Sequence, residues 1–114
     1  GRILEKETIF CERVGGKFKL RRGFKIKSGS KVLIVEDVIT TGKSSLECVQ
    51  LIKKYKASLA GFACIIDRTK KKHHKITKKI ISQVKIDIPT YKKNNLPDFL
   101  KNIPVTSPGS RRIK

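Results

Sequence analysis

The chain has no methionine and no tryptophan, and its aromatic residues are two Tyr and five Phe. So few rings make a poor stacking platform for single-stranded nucleic acid. Without a methionine, Gly1 is not a translation start as written. We expect a processed N-terminus or, since the chain opens mid-pattern at Gly1–Val14, the C-terminal part of a longer protein. Cysteine is also scarce. Cys11, Cys48 and Cys64 are odd in number and far apart, which disfavours a disulfide scaffold or a structural zinc site and suits a reducing compartment. No apolar run approaches the ~20 residues that span a bilayer, and Arg2, Glu5, Lys6 and Glu7 interrupt any signal-peptide core. Acid is the last scarcity: 9 Asp plus Glu stand against 28 Lys plus Arg, a formal charge of +19. Such charge first suggests nucleic acid, through counterion release. Yet 21 of the cations are Lys, beside 15 Ile, a pairing that mutational bias produces unaided, so a specific nucleic-acid partner is not expected.

At 114 residues the chain forms one domain. Thr8–Arg13 reads as a short strand, Gly15-Gly16 as a turn, and Lys17–Leu20 as an exposed hairpin arm. Residues 14–30 are basic and free of acid, in the manner of a mobile loop. Lys31–Glu36 holds four consecutive apolar residues, the pattern of a parallel strand buried on both faces. Ser44 is expected to cap a helix running to about Lys56, with Glu47 completing a capping box and Leu46, Val49 and Ile52 forming its apolar face. Leu59–Asp67 reads as the next buried strand. Strand, helix and strand make a βαβ unit, so the fold class is α/β with a parallel sheet. Lys70–Lys79, with its His73-His74 pair, is expected to be a solvated loop or helix face rather than a metal site. Ile86–Ile88 reads as a last strand, and the proline-punctuated tail as irregular.

Ligands of open α/β sheets bind where strands end at their carboxyl edge. Here that junction reads Glu36-Asp37-Val38-Ile39-Thr40-Thr41-Gly42-Lys43-Ser44-Ser45. Adjacent carboxylates can accept hydrogen bonds from vicinal hydroxyls or hold a hydrated magnesium ion. Thr40 through Ser45 put hydroxyls, a glycine and free backbone N–H groups at a helix N-terminus, which is a phosphate cradle. Gly42 permits a close backbone approach. Gly42-Lys43-Ser44 also mimics the end of a nucleotide-triphosphate loop, but that motif needs glycine where Asp37 stands. The remaining plain alternative is a capped helix beside incidental acids.

The stretch VLIVEDVITTGKS, residues 32–44, resembles the phosphoribosyl-pyrophosphate signature of type I phosphoribosyltransferases. FCERVGGKFKLRRGFKIKSG resembles the region that carries the flexible catalytic loop of bacterial orotate phosphoribosyltransferases. FACIIDR resembles their following strand, and IPTY with PGSR their C-terminal segment. The resemblance covers essentially all 114 residues as one partial domain. It implies a parallel sheet flanked by helices whose N-terminal hood, early strands and pyrophosphate loop lie before Gly1. One departure is the absence of a Cys-Pro-x-Cys segment; Leu96-Pro97-Asp98-Phe99 stands in its place.

By this resemblance the reaction joins orotate to phosphoribosyl pyrophosphate, giving orotidine monophosphate and pyrophosphate, with Mg²⁺ carried mainly by the pyrophosphate substrate. Glu36 and Asp37 would hold the ribose hydroxyls, with Asp37 counted among the catalytic groups. Val38, Ile39, Thr40, Thr41, Gly42, Lys43 and Ser44 would line the phosphoribosyl site, Thr40–Ser44 taking the 5-phosphate. Thr40 and Arg68 would meet orotate, the Arg68 guanidinium fork suiting its carboxylate. Arg13, Lys17, Lys19, Arg21 and Arg22 are the loop cations available to the departing pyrophosphate, and Arg13, Lys19 and Arg21 are the ones we assign. The resemblance further implies a cytoplasmic homodimer with no protein-borne metal site. Two alternatives remain: a phosphoribosyltransferase for another base, and a basic nucleic-acid-binding regulator that keeps the fold.

Overall fold

The computed structural model describes residues 1–70, 75–92 and 94–104. His73, His74 and the PGSR stretch lie outside the described residues. The first elements are β1 (Cys11–Val14) and β2 (Lys17–Leu20), an antiparallel hairpin that sets Cys11 opposite Leu20 and Val14 opposite Lys17. Gly15 and Gly16 form its two-residue turn at φ 58° and 77°. Left-handed backbone at both positions matches the right-handed twist of the strands, and glycine reaches it without a Cβ clash. The expected strand from Thr8 starts only at Cys11, because pairing begins where Leu20 lies opposite. The basic segment 14–30 is therefore a hairpin arm followed by turns, not loop throughout.

A second sheet contains β3 (Lys31–Ile39), β4 (Ser58–Asp67) and β5 (Ile80–Lys85) in that order, all parallel. Between β3 and β4 runs α1 (Lys43–Lys54), so the expected βαβ unit is present. Two boundaries move. β3 continues three residues past Glu36, since Val38 and Ile39 pair with Ile66 and Asp67. The last strand is Ile80–Lys85 rather than 86–88, because Phe62 through Asp67 on β4 find partners there; Ile86 makes one further bond, its N–H to the Asp67 carbonyl at 2.9 Å. The tail is not wholly irregular either. Pro97, at φ −58°, leads into a single turn, α2 (Asp98–Lys101). Proline's fixed φ and the acid in the first turn both favour that start.

Leu46, Val49 and Ile52 lay α1 on one sheet face, where Ile34, Ile52, Phe62 and Cys64 form the buried core with Ile39 and Ile76. Each fully buried aliphatic or Phe side chain contributes about 1.5–3 kcal/mol. The opposite face has no cover among the described residues: Leu33, Val35, Ile65 and Ile81 are 47%, 70%, 59% and 64% exposed. The expected two-face burial of the central run thus fails here, because alternate side chains of a strand face opposite ways and α1 covers only one side. No helix among the described residues is long and apolar enough to cross a membrane.

Candidate active site

Parallel register brings the carboxyl ends of β3 and β4 level, with Ile39 beside Asp67. At that edge lies a cleft of about 290 Å³, walled by Phe18 of the hairpin and by Glu36 through Ser45. Every residue of the expected phosphoribosyl site therefore lines one cavity. Arg68 sits just past β4, where its N–H donates to the Ile39 carbonyl at 2.8 Å.

Gly42 makes the turn into α1. It occupies the N-cap position at φ 74°, and its carbonyl accepts the first helical bond, from Leu46 N–H at 2.9 Å. Neither Ser44 nor a capping box ends the helix, as the sequence had suggested. The cap residue, a glycine, makes no side-chain hydrogen bond to the helix. Thr41 Oγ1 lies 3.4 Å from the Lys43 N–H, and the supposed box partner Glu47 is held by Arg13 at 2.6 Å. The open side of Gly42 is also used differently from expectation. A Cβ there would stand 2.6 Å from Ile76 Cδ1, so the missing side chain makes room for a core isoleucine.

The adjacent carboxylates have separate surroundings because successive strand residues face opposite ways. Glu36 turns toward α1, where Ser45 Oγ donates to its Oε1 at 3.4 Å. Burial raises its pKa above 4.5, the Ser45 hydrogen bond opposes this, and the Asp37 charge adds to it. Asp37 is exposed, and its Oδ1 accepts the Val38 N–H at 2.7 Å. The two carboxylates thus differ in character, one shielded by α1 and one open to the cleft.

Sequence reasoning counted Ser45 among the cradle hydroxyls and gave Asp67 no part in the site. Ser45 is buried at 2% exposure and braces Glu36; its only sequence signal was a polar residue on the inward face of the helix. Asp67 is buried at the end of β4. Burial pushes its pKa up, but the Thr69 hydroxyl and N–H and Lys85 outweigh that and hold it below 3.8. Thr69 N–H donates to Oδ1 at 2.7 Å, fixing the turn that carries Arg68. The Nε of Arg68 is buried with no hydrogen-bond partner among the described residues. A buried unpaired guanidinium donor is costly until an acceptor arrives.

The basic residues of the hairpin are not equally placed. Arg13 pairs with Glu47, donates to the Gly16 carbonyl and stacks 4.3 Å above the Phe18 ring. Arg21 and Arg22 reach Glu12 at 3.3 and 3.4 Å. Among the described residues no ion pair engages Lys17 or Lys19. Phe18, between them, is the hairpin's contribution to the cleft.

Residues 4–95 match the phosphoribosyl transferase domain. An orotate phosphoribosyltransferase of Caulobacter vibrioides is 43% identical over 113 residues, 99% of this chain and 58% of that protein. Those of Phenylobacterium zucineum and Parvibaculum lavamentivorans are 41% and 43% identical over 107 and 112 residues, or 94% and 98% of this chain and 55% and 57% of theirs. The chain spans somewhat over half the length of these curated relatives. A strand–turn–helix cleft built from the signature residues and a family match across most of the chain lead to one assignment: the chain belongs to the phosphoribosyl transferase domain family.

Proposed function

We propose that this chain supplies the phosphoribosyl-pyrophosphate cleft and the orotate-contacting strand of an orotate phosphoribosyltransferase. The observation that carries the reading is the gathering of Glu36 through Ser44 around one cleft at the carboxyl edge of the parallel sheet. The relatives named for orotate, similar over nearly the whole chain, support that base over others.

In this reading the exposed Asp37 carboxylate accepts hydrogen bonds from ribose hydroxyls, with Glu36 behind it, steadied by Ser45. The backbone N–H groups and hydroxyls of Thr40–Ser44 take the 5-phosphate, whose charge a helix N-terminus favours. Arg68 offers orotate its unpartnered donor, and Thr40 touches the base. As the bond from ribose to pyrophosphate breaks, negative charge grows on the leaving group. Lys19, Arg13 and Arg21 are the cations that would meet that charge once the hairpin moves over the cleft, and cations placed there stabilise the transition state more than the substrate. Arg13 must exchange Glu47, and Arg21 must exchange Glu12, for pyrophosphate; Lys19 has no such pair to give up.

The donor set suits a metal that arrives with substrate. Among the described residues no three His, Cys, Asp or Glu side chains cluster as a metal cage. Magnesium commonly binds through one or two carboxylates and substrate phosphates, and Asp37 is the exposed carboxylate available. When bound, Mg²⁺ would neutralise pyrophosphate charge. We further propose a cytoplasmic homodimer, whose three free cysteines suit a reducing compartment.

Competition of labelled orotate, uracil and purine bases for turnover by the intact protein tests the assignment. Orotate alone should be consumed in step with pyrophosphate release. Preference for another base would reassign the substrate. Salt-sensitive RNA or DNA binding that survives Asp37→Ala, with no turnover of any base, would instead support the regulator.

A further inference from the structure

Two of the three cysteines meet across the hairpin–helix junction. Cys11 opens β1 and Cys48 lies on α1, 37 positions later, yet their Sγ atoms are 3.5 Å apart and half-buried. Beside them Glu47, next to Cys48 in sequence, binds Arg13, two residues past Cys11. The hairpin is thus already fastened to the helix by an ion pair when the thiols touch. A disulfide needs sulfurs about 2 Å apart, so the two Sγ atoms, 3.5 Å apart, must close by about 1.5 Å to bond.

We propose that Cys11 and Cys48 form a reversible disulfide that locks the β1–β2 hairpin onto α1. The oxidant is a low-molecular-weight disulfide of the glutathione class. One S–S bond forms between the two cysteines and one breaks in the oxidant; both thiol protons pass to the two departing thiols, and the oxidant gains the electron pair. Burial, the Cys11 thiol and the nearby Glu36 and Glu47 carboxylates push Cys48 up to about 12, so Cys48 rests as a thiol and is a slow nucleophile in the exchange. Cys64, buried in the core, takes no part.

The consequence for activity rests on the function proposed above, in which the hairpin must bring Arg13, Lys19 and Arg21 to the leaving pyrophosphate. A bond at Cys11 anchors the base of that hairpin and keeps Arg13 beside Glu47, so the cations cannot advance over the cleft. Oxidation then lowers turnover and spares the cradle at Thr40–Ser44.

The test treats the intact protein with oxidised glutathione, alkylates remaining thiols and maps the peptides by mass. The expected product links Cys11 to Cys48, slows hydrogen exchange across residues 11–20 and lowers turnover several-fold, and dithiothreitol reverses all three. Cys11→Ser and Cys48→Ser should keep the turnover of the unoxidised protein and lose the response to oxidised glutathione; Cys11→Ala replaces the first if serine prevents folding. Glutathione adducts alone, or linkage through Cys64, would overturn the bond. Linkage without slowed hairpin exchange would overturn the lock. A reduced enzyme that turns over no orotate counts against the proposed function instead, while the peptide map and exchange still decide the disulfide.

Discussion

Gly42→Ala tests the turn on which the cleft depends. Two costs follow from the structure. At φ 74° a residue with a Cβ pays about 1–2 kcal/mol against its neighbouring carbonyl. The same Cβ would lie 2.6 Å from Ile76 Cδ1 and 2.7 Å from Cγ1. Ile76 is 4% exposed, so it must be pushed into packed surroundings, at about 1–3 kcal/mol. The total is about 2–5 kcal/mol, a large share of a native stability of about 5–15 kcal/mol. The two parts separate in a double-mutant cycle with Ile76→Ala. Ile76 Cβ is 4.0 Å from the added methyl, an ordinary contact, so only the backbone cost should survive in that background. Urea unfolding of the intact protein and its three variants should give a coupling of about 1–3 kcal/mol. If Gly42→Ala costs the same with and without the Ile76 side chain, the steric argument is wrong. A cost below about 0.5 kcal/mol in both backgrounds would remove the backbone argument as well.

Other expectations concern charge. Asp37→Asn should lower turnover by roughly tenfold to a thousandfold with an unchanged melting temperature, because the carboxylate is exposed and, in the proposed function, meets the ribose hydroxyls; a large fall in melting temperature with activity per folded molecule intact would make it structural. Lys19→Ala or Arg21→Ala should reduce kcat by about the same range, whereas Thr41→Val or Ser44→Ala should chiefly raise KM for phosphoribosyl pyrophosphate, since the 5-phosphate does not change during reaction. The reverse split would exchange the roles of hairpin and cradle. Asp67→Asn should cost about 1 kcal/mol at neutral pH. A carboxylate held below 3.8 stabilises the fold in full above that value and loses the contribution as pH falls through its depressed pKa. Urea midpoints of variant and parent should therefore converge in acid, and a gap that persists there would assign the loss to packing.

What sequence could show was local. Residues 32–45 pass from a run of apolar residues to hydroxyls, a glycine and a helical spacing, and the structure folds them as strand, turn and helix. The hairpin turn was equally plain at Gly15-Gly16. The errors lie where distant residues compete. Glu47 has the spacing of a capping box, but Arg13, 34 residues upstream, takes its carboxylate. Ile80 and Ile81 follow a lysine-rich stretch that hid the beginning of β5, whose strand character depends on pairing with β4. The bracing of Glu36 by Ser45 and the buried donor of Arg68 arise only once β3, α1 and β4 pack together.

Among the described residues the sheet face opposite α1 is uncovered, which sets a colloidal balance for this 114-residue polypeptide. Leu33, Val35, Ile65 and Ile81 form an adhesive surface of branched aliphatics on a molecule of formal charge +19. Mutual repulsion keeps copies apart while its range exceeds the contact distance of the faces. The screening length shrinks from about 10 Å at 0.1 M salt to about 3 Å at 1 M, whereas apolar attraction does not weaken in that way. Added salt therefore drives the chain toward self-association instead of dispersing it. Polyanions that neutralise the lysines act in the same direction at far lower concentration, so handling the polypeptide in dilute buffer, free of nucleic acid, keeps charge ahead of adhesion.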